Sequence, residues 1–201
     1  MINAGEFKDL TLQHWFPTTV GVVDCPFMDE IQSQYLKYIK FFQYDKVGFC
    51  YAEQHKNERF KKLNEWINEQ VNQYAKLHKF PGTYGPGESW LIDYQNHKGQ
   101  PWHTHIGWTI STVFYLVADK TDKGTKFRSP TYNDTINPLR ISPIDDRQGD
   151  KYTTLTYPTC EYAPVEGRLL IFRSYLEHSM DIKDNNDRRV IFSYNFNPVN
   201  V

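Results

Sequence analysis

Cysteine is scarce in this chain: Cys25, Cys50 and Cys160 are the only three in 201 residues, widely spaced and odd in number. That excludes a zinc-knuckle pattern and a disulfide framework, and it predicts free thiols in a reducing compartment. A charge excess of either sign is also missing, with 23 Lys and Arg against 24 Asp and Glu and a net charge of −1. Without a basic run or stripe, nucleic-acid binding is not indicated. No apolar run approaches the length of a membrane span, and Met1 to Trp15 has no basic-then-apolar leader. A cytoplasmic protein with no membrane partner is the expectation, and neither internal repeats nor low-complexity segments are visible.

Aromatic residues are abundant. They make up 16% of the chain, with 14 Tyr and 13 Phe, which favours β-structure, where flat rings pack well on a pleated face. The length predicts a single domain over 1–201, large enough for a full core. An opening strand is expected at Thr18–Val23. Helices follow near 27–42 (Ile31, Tyr35, Leu36, Ile39 and Phe42) and near 57–78. The second has the clearest stripe, running through Phe60, Leu63, Trp66, Ile67, Val71, Tyr74 and Leu77, and reads as a core face. Both helices should pack on the outside of a sheet.

Phe80–Gly87 is rich in Gly and Pro, so it reads as a turn that ends the helical part, 1–80. Beyond it the pattern is strand-like, with expected strands at 89–95, 101–105, 109–118, 152–157, 168–173 and 188–197. The polar stretch 119–150 should hold an edge strand or two and a long loop, a candidate lid over a pocket. Two helices followed by many strands predict a mainly β fold: a jelly-roll or barrel core over 85–197 with supporting N-terminal α-helices.

Against this background His103 and His105 stand out. Residues two apart on a strand share a face, so both imidazoles should enter one cavity. His178, far downstream, can supply a third donor, and three imidazoles converging suit iron, zinc or copper alike. The final strand alternates cleanly: Arg189, Ile191, Ser193 and Asn195 on one face, Val190, Phe192, Tyr194 and Phe196 on the other. The aromatic face should meet protein and the face led by Arg189 should line the cavity. An inward Arg is costly unless an anion meets it, and its planar fork suits a carboxylate; an internal salt bridge is the plain alternative. Arg188, of opposite parity, is expected as a surface charge.

His103-Thr-His105, the distal His178 in Gly167-Arg-Leu-Leu-Ile-Phe-Arg-Ser-Tyr-Leu-Glu-His178, and Arg189-x-x-x-Ser-x-Asn195 resemble the iron(II)/2-oxoglutarate-dependent oxygenases. More narrowly they resemble a branch, often phage-encoded or marine bacterial, with His-x-His in place of His-x-Asp. The resemblance covers roughly 85–197 and implies a double-stranded β-helix holding iron(II) and 2-oxoglutarate. It implies a dioxygenase that hydroxylates a substrate with molecular oxygen and releases succinate and carbon dioxide. His103 and His178 would be imidazole ligands, and Arg189 would pair with the distal carboxylate of 2-oxoglutarate. Tyr115 matches the tyrosine often found beside that carboxylate, with Tyr94 a second candidate and Ser193 on the same face as Arg189. His105 stands where most of the superfamily has a carboxylate. It either completes the ligand set or sits behind it with a water in its place. Asp93, Glu177 and Asp181 are nearby in sequence without the expected spacing.

Two other readings compete. A cupin also uses His-x-His on a jelly-roll, but it expects Glu where this chain has Thr109, and Pro and Gly where it has Arg173 and Tyr175. A non-catalytic β-sandwich would make the histidines incidental. The substrate is not legible. It is expected to enter near 119–150, and the aromatic content leaves room for a homodimer.

Overall fold

The computed structural model describes residues 18–46, 48–51, 53–94, 99–119, 123–130, 159–181 and 188–200. In chain order the elements are β1 (Val20–Asp24), α1 (Met28–Ile39), β2 (Phe49–Cys50), α2 (Lys61–Leu77), β3 (Thr83–Tyr94), β4 (Gln100–His103), β5 (Ile110–Val117), β6 (Thr125–Arg128), β7 (Thr159–Tyr162), β8 (Arg168–Arg173), β9 (His178–Met180) and β10 (Arg189–Asn200). The strands form two antiparallel sheets, a six-stranded one ordered β1-β8-β5-β10-β3-β2 and a four-stranded one ordered β4-β9-β6-β7. This is the double-stranded β-helix expected of the sequence.

Two apolar layers follow from the alternation of side chains along the strands. Val190, Phe192, Tyr194 and Phe196 of β10 join the buried faces of α1 and α2 on the outside of the larger sheet. Ile191 of the opposite parity joins Tyr94, Val113, Tyr115, Phe127, Phe172 and Met180 in a second core, with members from both sheets. α1 buries Ile31, Tyr35 and Ile39, and its first turn carries Asp29 and Glu30, which favour the positive end of the helix. A short 3-10 turn precedes α2, and the Asn57 side chain caps it by accepting from Arg59 N at 3.1 Å. Phe60 and Phe192 then lock the helices to the sheet, edge to face at 5.0 Å. Because Phe192 is fully buried, Phe192→Ala is expected to cost about 3–5 kcal/mol of stability, read as a lower midpoint in urea with an unchanged slope.

Several expectations are corrected. Leu77, counted in the α2 stripe, is exposed. β3 begins at Thr83, inside the Gly- and Pro-rich stretch that reads as a turn, because pairing with the far end of β10 recruits it. β2, β6, β7 and β9 are too short to show a period. β6 is no edge strand, since it pairs with β7 on one side and β9 on the other. The expected strand at 152–157, and most of the lid proposed at 119–150, lie outside the described residues. Arg188 is not a bare surface charge: Nη2 and Nε grip the buried Asp93 carboxylate at 2.6 and 3.0 Å.

Candidate metal centre

The smaller sheet brings two of the histidines face to face. His103 ends β4 and His178 opens β9, and the two are direct partners in the antiparallel ladder. His178 therefore belongs to a strand of its own, β9. His105 is not on β4 at all, because the strand stops at His103. The chain bends there, and the bend is held by His105 N donating to Ser174 O at 3.0 Å. The three rings nonetheless converge, with centroids 4.2 Å (His103–His178), 5.0 Å (His105–His178) and 5.2 Å (His103–His105) apart. One nitrogen from each lies within 4.8 Å of the others.

Each ring also has an oxygen behind it. His103 Nδ1 faces Pro101 O at 2.8 Å, His178 Nδ1 faces Leu176 O at 2.9 Å, and His105 Nδ1 faces Asn195 Oδ1 at 2.5 Å. A backbone carbonyl oxygen only accepts, so His103 and His178 carry the proton on Nδ1 and keep the Nε2 lone pair for the common centre, while Asn195 turns its amide oxygen to His105. Gln100 reflects this: its amide Nε2 lies 3.1 Å from His103 Nε2 and donates to that lone pair. Three neutral imidazoles with outer hydrogen bonds of this kind fit a divalent transition metal.

Burial holds all three imidazoles below the ordinary histidine range. His178, with His103 as its second influence, falls to about 3. A depressed pKa means the unfolded chain takes up the proton first, so stability falls as pH drops through the window between 6.5 and about 3. The metal-free protein is expected to lose stability steadily on acidification below about pH 6.5, and His178→Ala should flatten that slope in urea titrations run at successive pH values.

The carboxylates near in sequence are engaged elsewhere. Asp93 pairs with Arg188, Glu177 with Arg128 at 3.0 Å, and Asp181 with Lys126. Among the described residues the histidine cluster contains no acidic side chain.

Arg189 is fully buried on the inward face of β10. Its Nη1 donates to Lys123 O at 2.7 Å and its Nη2 to Asp181 O at 3.3 Å, three residues beyond His178. The guanidinium lies over the Tyr94 ring, 4.7 Å from its centre. The Tyr94 hydroxyl donates to Gln100 Oε1 at 3.3 Å, so Tyr94 and Gln100 link the Arg189 site to His103. Tyr115 is opposite Ile191 in the ladder, and its hydroxyl bonds Thr125 Oγ1 at 2.6 Å. Burial raises both phenols, Tyr115 to about 12, so both stay protonated at neutral pH. Ser193 is buried on the same face as Arg189, in register with Trp90 and Val113.

Outside His103 and His105 opens a groove of about 380 Å³, lined among others by Tyr51, Glu88, Trp90, Ile106, Trp108 and Asn195. Gly87 makes room for one wall, since a Cβ there would stand 2.6 Å from the Trp108 ring. Most of 119–150, where substrate entry is expected, lies outside the described residues. Gln100, Glu88 and the pairing of Asn195 with His105 carry no sequence signal of their own.

A double-stranded β-helix with three convergent imidazoles offers the donor set of a non-haem metal site. The family model for 2OG-Fe(II) oxygenases matches residues 88–195, more than half of the chain. The chain belongs to that family: it is a non-haem oxygenase dependent on iron(II) and 2-oxoglutarate, with oxygen and an organic substrate as its reaction partners. Solved structures agree on the fold. HygX from Streptomyces hygroscopicus, with nickel and 2-oxoglutarate bound, superposes with a TM-score of 0.62 at 11% identity, over 90% of this chain and 84% of its own. A prolyl-4-hydroxylase from Pseudomonas putida gives 0.58 at 11% identity, over 91% and 94%. A 2OG-Fe(II) oxygenase family oxidoreductase from Burkholderia pseudomallei gives 0.60 at 9%, over 88% and 83%. No curated protein matches. The cupin and the non-catalytic sandwich readings fall with the family match. Among the described residues no helix is long and apolar enough to cross a membrane.

Proposed function

We propose that His103, His105 and His178 bind the iron through Nε2, and that Arg189 holds the far carboxylate of 2-oxoglutarate. The observation that carries this is the common sense of the three imidazoles, each with Nδ1 turned to a fixed oxygen. His105, on this reading, is itself a ligand and takes the place of the usual carboxylate. With iron(II) and 2-oxoglutarate bound, the site would use dioxygen as oxidant, one oxygen atom ending in succinate as carbon dioxide leaves and the other in a hydroxylated substrate carbon.

The chain's own residues bind and orient. Arg189 is enclosed by protein, and its planar guanidinium suits a carboxylate partner. Tyr94 flattens one side of that site beneath the guanidinium, and Tyr115, bonded to Thr125, fixes another. Gln100, which reaches both His103 and Tyr94, must release His103 Nε2 when metal enters. Ser193 gives the same face a hydroxyl beside apolar Ile191. The substrate lies in the groove against Trp90, Trp108 and Tyr51, rings that offer stacking area next to His103 and His105.

Incubation of the purified protein with iron(II), ascorbate and 2-oxoglutarate under air tests the function. Slow release of succinate, even without the proper substrate, is expected. Iron-replete protein that leaves 2-oxoglutarate untouched under every substrate mixture would contradict the assignment.

A further inference from the structure

Two hydrogen bonds in series run from the edge of the groove to His105. Glu88, exposed on β3, accepts from Asn195 Nδ2 at 2.9 Å, and Asn195 Oδ1 lies 2.5 Å from His105 Nδ1. Ser111 Oγ donates to the same Asn195 oxygen at 2.7 Å, and sits 3.3 Å from His105 Nδ1.

The three histidines differ in how their protons are fixed. Behind His103 and His178 stands a backbone carbonyl, which can only accept. Behind His105 stands a side-chain amide, which can present either an oxygen or an NH2 group. If the oxygen faces His105, the proton must be on Nδ1 and Nε2 has the lone pair. If the NH2 faces it, Nδ1 must accept, the proton moves to Nε2, and that nitrogen cannot bind a metal. Asn195 and Ser111 are 2% and 0% exposed, so bulk water cannot satisfy the amide either way round. Ser111 does not decide the matter, because its hydroxyl can turn to suit. Glu88 does: an ionised carboxylate has no donor, so it takes the NH2 end and leaves the oxygen for His105.

We propose that Glu88 is a positioning residue for the third metal ligand, orienting the Asn195 amide so that His105 holds its proton on Nδ1 and offers Nε2 to the metal. This rests on the reading above that His105 binds the metal. Most of the superfamily places a negative charge on the metal itself. Here the nearest charge in this network stands two hydrogen bonds behind His105.

Two variants at this exposed position relax and then reverse the orientation. In Glu88→Gln the new amide can meet Asn195 with either end, so the sense of the Asn195 amide is no longer imposed. In Glu88→Lys the ammonium only donates, and the amide must turn around to meet it. The tautomer of His105 is read in metal-free, nitrogen-15-histidine-labelled protein by long-range correlation spectra at pH 8. Cobalt(II) is then titrated into each protein as the metal probe. The wild type should show the Nδ1-protonated form and Glu88→Gln a mixture of the two tautomers, with cobalt affinities within about fivefold of each other. Glu88→Lys should show the Nε2-protonated form and bind cobalt about 10–100-fold more weakly. An Nε2-protonated His105 in the wild type, or a tautomer unchanged in Glu88→Lys, would overturn the proposal. Should the tautomers behave as stated while cobalt binds none of the proteins, the positioning role stands and the metal assignment fails.

Discussion

His178→Ala is expected to abolish 2-oxoglutarate turnover and to weaken iron(II) binding by at least about 100-fold. That exceeds what loss of a hydrogen bond behind a ligand does, because here the donor itself is removed. His178 occupies the most enclosed corner of the centre. It is 4% exposed, packed against Phe172 at 4.7 Å, and directly opposite His103 in the ladder. No other described donor can replace it, since Glu177 and Asp181 are held in ion pairs with Arg128 and Lys126. The variant should still fold, because β9 keeps its pairing with β4 and β6. Metal content after reconstitution and succinate release from 2-oxoglutarate measure the two effects. Full iron binding in His178→Ala would remove the residue from the centre.

Arg189→Met should separate cosubstrate from metal. The chain buries this guanidinium completely and places it next to carbonyls of Lys123 and Asp181, above the Tyr94 ring. A hydrogen bond to a charged group contributes about 1.5–3 kcal/mol, so losing the carboxylate partner should weaken 2-oxoglutarate by roughly 10–150-fold. Iron(II) affinity without 2-oxoglutarate should be nearly unchanged. Folding should suffer as well, since the carbonyls of Lys123 and Asp181 lose their donor. Titration calorimetry with 2-oxoglutarate, run on protein whose fold is confirmed by circular dichroism, reads the binding term apart from the stability term. Equal affinities in wild type and variant would leave Arg189 a structural cation.

The parts legible in the sequence are those governed by a period. The α2 stripe from Phe60 to Tyr74 and the alternation of β10 are one-dimensional patterns, and both appear as read, apart from the exposed Leu77 at the end of α2. The histidines could be picked out by residue type and spacing, but the route by which they meet could not. His105 reaches the centre through a bend rather than a strand face, and His178 through a three-residue strand too short to show alternation. β3 hides in a Gly- and Pro-rich run because β10, its partner, is more than a hundred residues away. The same applies to the support of His105. Ser111–Asn195 and Asn195–Glu88 span 84 and 107 positions and involve ordinary polar residues that no local pattern marks.

On the proposed reading, one centre built from His103, His105 and His178 holds iron(II) while Arg189 anchors 2-oxoglutarate beside it. Anaerobic titration of the metal-free protein with iron(II) and then 2-oxoglutarate tests it most directly, through the visible charge-transfer band of the iron–2-oxoglutarate chelate. A band is expected that saturates at one equivalent of each, and that is absent in His178→Ala and in His105→Ala. A band of full strength in either variant, or none in the iron-loaded wild type, would contradict it.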